Sequence, residues 1–212
     1  MTVLLIALNV AVFLYEILLP DSLATEFVTK FALIPKHVNP QHAHHTSQII
    51  SALPSLFTAM FLHGGFLHLI GNMLYLWIFG DNVEERMGSL HFLAFYLVCG
   101  LIATFAQVYT NPASMIPILG ASGAIAGVLG AYIRLFPKAR IAVLVPIFFF
   151  LRTIILPAWL VLGMWILLQV AEVQTMASHV KGDMGGIAYF AHLGGFVAGF
   201  FLMPLFTQKK RR

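Results

Sequence analysis

The sequence predicts an all-α polytopic membrane protein: a single domain over residues 1–212, with six transmembrane helices and a large first loop. Three observations carry the prediction. Of 212 residues, 60% are hydrophobic and only 9% charged. The mean hydropathy is +0.90. Soluble chains carry about 25% charged residues, so this one has too few charges to cover a solvated surface. Third, the apolar residues gather in separate runs, and at about 20 residues per bilayer crossing the length admits six or seven helices and no soluble domain besides.

Residues 2–19 form the first run, interrupted only by Asn9 and Glu16. A signal peptide would carry a basic leading segment and a small-residue cleavage site; neither is present, so the run reads as a retained span. Residues 20 to about 62 are the longest polar stretch and hold Asp21, Glu26, Lys30, Lys36, His37, His42, His44 and His45, with apolar residues between. This is the large first loop. Further spans are expected over about 64–83, 90–109, 120–135, 158–174 and 187–206, divided by turn-forming breaks such as Asn111-Pro112 and Gly185-Gly186.

The stretch 141–157 is apolar but broken by Pro146, Arg152 and Pro157, and is shorter than a normal span. Charge decides its place. Six spans with a cytoplasmic N-terminus put Arg86, Arg134, Lys138, Arg140, Arg152, Lys209, Lys210, Arg211 and Arg212 inside and Lys30, Lys36 and Lys181 outside, nine against three. That obeys the positive-inside rule. A seventh span would send the basic tail outward, so 141–157 is expected at the cytoplasmic interface, leading into the fifth helix. The net charge of +4 is explained by these loops, and no nucleic-acid partner is expected. Cys99 is the sole cysteine, which excludes a disulfide framework and any cysteine-based metal cluster.

Even-numbered helices run inward in this topology, so three polar sites share one depth near the outer face. The second helix carries His68 and Asn72, four residues apart and so on one helical face. The fourth opens on Gly120-Ala121-Ser122-Gly123, and the sixth on Ala191-His192-Leu193-Gly194-Gly195. Singly, each has a plain structural reading: a serine among glycines is ordinarily a packing residue, and a membrane histidine can simply be hydrogen-bonded. Together they form a constellation suited to acyl transfer. Ser122 needs a base, a neutral imidazole such as His192 is one, and the Ser122 backbone N–H with the side chains of His68 and Asn72 can serve a developing oxyanion. The patterns Gly123-xxx-Gly127 and Gly195-xxx-Gly199 point to close approach of the two helices. Sixteen residues from Gly120 to Leu135 make a helix of about 24 Å against a hydrocarbon core of about 30 Å. Ser122 is therefore expected below the outer surface, at the floor of a cavity.

These stretches resemble the rhomboid family of intramembrane serine proteases from about Ser55 to Phe200. The similarity rests on His-Gly-Gly-Phe-Leu-His-Leu-Ile-Gly-Asn (63–72), Gly80-xxx-Glu84-xxx-Gly88, Gly-Ala-Ser-Gly (120–123) and Ala-His-xx-Gly-xxx-Gly (191–199). The resemblance implies a six-helix rhomboid bundle in which Ser122 is the nucleophile, His192 the general base and later acid, and His68 and Asn72 the oxyanion donors. It implies a Ser/His dyad with no acidic third member, in keeping with the absence of an Asp or Glu placed beside His192. Gly120 belongs to the nucleophile motif, and the loop before the sixth helix caps the site. Substrates would be transmembrane proteins, cleaved in or near their spans, with the lipid bilayer as the other partner and no cofactor or metal. The expected location is a prokaryotic plasma membrane, with both termini cytoplasmic.

Two positions depart from the family pattern. Pro54-Ser55 replaces a Trp-Arg pair common in the first loop, and Ala126 replaces an aromatic residue that some members carry four residues after the nucleophile. The chain also lacks the short basic prefix common in the family, which points to a longer reading frame. Rival readings are an inactive relative that binds membrane proteins, and a small transporter with His68, Asn72 and His192 along its path. Elsewhere the plain readings prevail: His42, His44 and His45 as loop residues rather than a metal site, Glu16 as internally hydrogen-bonded, Glu172 as near an interface, and Glu84, Glu85 and Arg86 as a structural charge cluster.

Overall fold

The fold comes from a computed structural model that describes residues 1–41, 45–147, 150–179 and 188–207, with the side chains of 147 and 173–179 left aside. In chain order the helices are α1 (Thr2–Leu18), α2 (Asp21–Phe31), α3 (Pro35–Val38), α4 (Thr46–Ala52), α5 (Ser55–Thr58), α6 (Phe66–Tyr75), α7 (Asp81–Met87), α8 (Ser89–Thr110), α9 (Ser122–Leu135), α10 (Ala158–His179) and α11 (Tyr189–Phe206). A π-helical segment, Leu76–Gly80, joins α6 to α7.

Two helices, α8 and α11, are long and apolar enough to cross a membrane alone. A third candidate is the pair Thr46–Phe61 and Phe66–Met87, bent by 76° at its break. Thr2–Leu18, Ser122–Leu135 and Ala158–Glu172 are apolar but shorter. By length and composition this makes two or three candidate spans among the described residues, where the hydropathy runs led to six. With apolar side chains such as Leu67, Leu90, Phe201 and Leu205 turned outward, these helices make the chain an integral membrane protein.

Helix α9 is the centre of the bundle. Every residue from Gly123 to Tyr132 is buried, and α8 and α11 are its main neighbours. Glycine explains how three helices can meet so tightly. A methyl group built on Gly195 would overlap the Gly123 carbonyl, and one on Gly199 the Gly127 carbonyl. Across the other face, one on Gly127 would overlap Cys99 of α8, whose thiol is fully buried. The small-residue patterns of both helices are thus a backbone-to-backbone seam.

The Gly80-xxx-Glu84-xxx-Gly88 pattern also has a structural account. Glu84 accepts a hydrogen bond from the Thr2 backbone N–H at 2.7 Å and from Ser89 Oγ at 2.5 Å, satisfying one orphan donor at the start of α1. A Cβ on Gly80 would press on the Thr2 side chain at 3.0 Å, and Gly88 turns the chain with φ +80°.

The chain is mostly helical rather than all-α: residues 141–157, expected as an interfacial lead-in to the fifth helix, form most of an antiparallel hairpin of β1 (Arg140–Ile147) and β2 (Phe150–Pro157), pairing Arg140 with Pro157 and Ile147 with Phe150. Its β-branched residues, Ile141, Val143, Val145, Ile147, Thr153, Ile154 and Ile155, favour strand. Hydropathy alone does not weigh that preference. The polar stretch from 20 to about 62, expected as a large first loop, holds α2 to α5 and a 3₁₀ turn, Ala59–Phe61. In α2, Leu23, Phe27 and Phe31 recur every fourth residue, and Phe27 meets both Phe31 and Tyr15 of α1 at ring distances of 4.8 and 5.4 Å. Helix α10 also runs on to His179, past the expected end at 174.

Candidate active site

The first-loop region supports the segment that presents Ser122. Leu33 and Ile118 exchange backbone hydrogen bonds at 3.0 and 2.7 Å, the Gly120 N–H donates to the Ala59 carbonyl at 2.8 Å, and Thr58 Oγ1 donates to the Phe31 carbonyl at 2.7 Å. The chain then turns at Gly120, where φ is +119°. A side chain there would be strained, and its Cβ would lie 2.8 Å from the His68 ring and 3.7 Å from Asn72 Nδ2. Glycine at 120 therefore lets the turn close against the face of α6 that carries both residues. Ser122 follows as the first residue of α9, so its backbone N–H is one of the donors a helix start leaves without an intrahelical partner.

Across the seam, His192 of α11 is buried and Ser122 half-buried. His192 Nε2 lies 2.9 Å from Ser122 Oγ. The other ring nitrogen, Nδ1, lies 2.6 Å from Oε1 of Gln169 on α10. Above the imidazole sits Trp165, one turn before Gln169, with ring centroids 5.8 Å apart and planes inclined by 38°. Tyr189, one turn before His192 on α11, approaches edge-on at 6.5 Å.

All four residues singled out from the sequence therefore fall in one neighbourhood: Ser122 against His192, and His68 with Asn72 beside the Gly120 turn. Their surroundings differ. Asn72 is buried and its Nδ2 has no acceptor among the described residues, whereas His68 is exposed, edge-on to the buried ring of His63 at 5.1 Å. A small cavity of about 20 Å³ borders Ser122, Gly120, Thr104 and Ala191. That is room for one water molecule, beside a hydroxyl that would need it. A hydroxyl bonded to an imidazole, with an unused amide donor and a helix start nearby, is equipped for nucleophilic attack on a carbonyl.

Sequence reasoning missed Gln169 and Trp165. The signal was present as an amide in the middle of the apolar run of the fifth helix, with Trp165 four residues before and Glu172 three after, one helical face. Ala126 leaves the position four residues after Ser122 without a ring, and Trp165 supplies one against His192 from another helix. The loop from Thr175 to Gly186 lies largely outside the described residues, as do His42, His44 and the tail from Lys209 to Arg212. Among the described residues no three His, Cys, Asp or Glu side chains gather into a metal-binding group.

Fold and site together define a class: integral membrane proteins whose polar constellation is enclosed by apolar helices. Within it the chain belongs to the rhomboid family, since the sequence model of the Rhomboid domain matches residues 51–209. It is 33% identical over 201 residues to "Rhomboid protein 1, mitochondrial" of Saccharomyces cerevisiae, covering 92% of this chain and 50% of that protein. It is 32% identical over 143 residues to "Presenilin-associated rhomboid-like protein A, mitochondrial" of Danio rerio, covering 66% and 37%. To "RHOMBOID-like protein 5" of Arabidopsis thaliana it is 32% identical over 154 residues, covering 69% and 42%. The chain thus spans half or less of the length of these relatives. Two of the three are named mitochondrial, which lends no support to the expected prokaryotic plasma membrane.

Proposed function

We propose that this protein is an intramembrane serine endopeptidase that hydrolyses peptide bonds in or near the transmembrane segments of other membrane proteins. The observation that carries the reading is the 2.9 Å contact of Ser122 Oγ with His192 Nε2, made by two motifs whose reacting residues lie 70 positions apart in the chain. Ser122 Oγ attacks the scissile carbonyl and its proton passes to Nε2. The oxyanion is met by the Ser122 N–H and by Asn72 Nδ2, with His68 at the open side. His192 then protonates the leaving amine, and water completes hydrolysis of the acyl-enzyme by the reverse proton path. No cofactor takes part.

Six spans, counting the shorter apolar helices α1, α9 and α10, and cytoplasmic termini complete the reading, with residues 1–212 as one domain. The substrate enters sideways from lipid between α6 and α10, because descent through water would expose its apolar flanks at about 25 cal/mol per Å². Helix α10 packs mainly on α11, α9 and the hairpin rather than on α6, which leaves that side available.

Purified protein treated with a serine-directed fluorophosphonate should be labelled at Ser122 and should cut a generic single-pass substrate. Ser122→Ala and His192→Ala should each lower turnover by more than about 10³-fold with folding retained, and the double variant should be no worse, since the pair acts as one unit. Labelling that persists in Ser122→Ala, or substantial turnover in either single variant, overturns the dyad. An unlabelled, inactive wild type that still captures membrane proteins would favour the non-catalytic relative.

A further inference from the structure

We propose that Gln169, with Trp165 one turn before it on α10, is a positioning residue that sets the tautomer and tilt of His192. The proposal rests on the serine-protease reading of the Ser122–His192 pair and adds a third member to what the sequence presents as a dyad. A neutral imidazole carries one N–H and one lone pair, and general-base action on Ser122 requires the lone pair on Nε2. Gln169 meets the ring with its amide oxygen: Oε1 lies 2.6 Å from Nδ1. That oxygen only accepts, so Nδ1 holds the hydrogen and donates it, and Nε2 is left to accept from Ser122 Oγ–H at 2.9 Å. The other tautomer would place two acceptors together at Nδ1 and turn an N–H toward the serine oxygen.

Trp165 fixes the remaining degree of freedom. Its ring lies against both His192 and Phe196, at 5.8 and 6.2 Å between centroids with inclinations of 38° and 34°, so rotation of the imidazole about its Cβ–Cγ bond meets the indole. Neither group reaches the serine, and each acts only through the histidine. The two also come from a different helix than the reacting pair. Ser122 and His192 are held by the α9–α11 seam, but the base is correctly set only while α10 is docked.

The experiment uses the full chain in detergent or liposomes with three readings: steady-state cleavage of a single-pass substrate, fluorophosphonate labelling, and the imidazole ¹⁵N NMR signals of His192, assigned by their loss in His192→Gln. Gln169→Leu keeps the volume and removes the acceptor. It should lower kcat about 10- to 100-fold with KM unchanged and replace the single Nδ1–H signature with a tautomer mixture. Gln169→Glu restores an acceptor oxygen and should recover most of the rate. A helix-packing role alone would move KM or stability and would not be rescued by the carboxylate. Wild-type kcat in folded Gln169→Leu, no advantage of Gln169→Glu over Gln169→Leu, or an Nε2–H signature in the wild type each overturns the proposal. The tautomer signal needs no turnover, so it stands or falls separately from the nucleophile reading, which fails if the wild type is not labelled at Ser122.

Discussion

The seam between α9 and α11 and the flank made of α10 with its hairpin differ in how closely backbone meets backbone. On the seam, glycine carbonyls sit where a methyl group cannot be added. On the flank, Gly163 of α10 has nothing within 4 Å of where a Cβ would stand, and Leu144, Phe150 and Leu151 of the hairpin are more than half exposed. Each region supplies part of the surroundings of His192. The seam fixes where the serine and histidine are, to within a hydrogen bond. The flank holds what orients the ring, on an element whose Gly163 faces open space. The contrast suggests a site whose reacting groups are permanent and whose alignment is adjustable.

The largest effect is expected from one substitution made in both regions. Gly199→Ala should lower stability by more than about 3 kcal/mol or prevent folding, because its methyl meets the Gly127 backbone rather than a side chain that can turn aside. Gly163→Ala should be neutral or stabilising by up to about 1 kcal/mol, the helix propensity gained. Thermal unfolding in detergent measures both; equal effects would show that the two helices are packed alike. Next in size, Asn72→Ala should cost about 10²-fold in kcat with KM little changed, as the loss of one oxyanion donor does, and exposed His68→Ala should cost less. If Asn72→Ala altered only KM, the amide would belong to substrate binding. Smallest of all, Leu144→Ser and Phe150→Ser in the hairpin should change stability by no more than about 0.5 kcal/mol and cleavage by less than about twofold, as expected where no packed core is touched. A larger loss of kcat would join the hairpin to the control of α10, whose first residues are anchored to the turn just before β1 through Ala158 N–H to the Ala139 carbonyl at 2.8 Å and Trp159 N–H to the Pro137 carbonyl at 3.0 Å.

What the sequence revealed follows the same division. The seam was legible because tight packing leaves a chemical trace: only glycine and alanine survive there, and they recur every four residues around Ser122 and His192. The serine, the histidine, His68 and Asn72 stood out as polar groups at one depth. The flank left fainter traces. A hairpin made of Ile, Val and Leu looks the same as a short apolar helix when only hydropathy is weighed, and the strand preference of β-branched residues had to decide it. Gln169 was overlooked since an amide in an apolar helix has no visible partner until the neighbouring helix is placed. The helices of the first-loop region are short, and the backbone contacts they make, Ala59 to Gly120 and Leu33 to Ile118, involve no side chain that a motif could mark.

The burial of Cys99 has a practical side. Its sulfur is sealed between α8 and Gly127 of α9, so a maleimide or an oxidant added to the folded protein finds no accessible thiol among the described residues, which include the chain's sole cysteine. Any cysteine introduced at the surface becomes the sole reporter without a cysteine-free background having to be made. A pair placed across α6 and α10 can be joined and released at will, and a single dye on α10 can follow that helix against the seam.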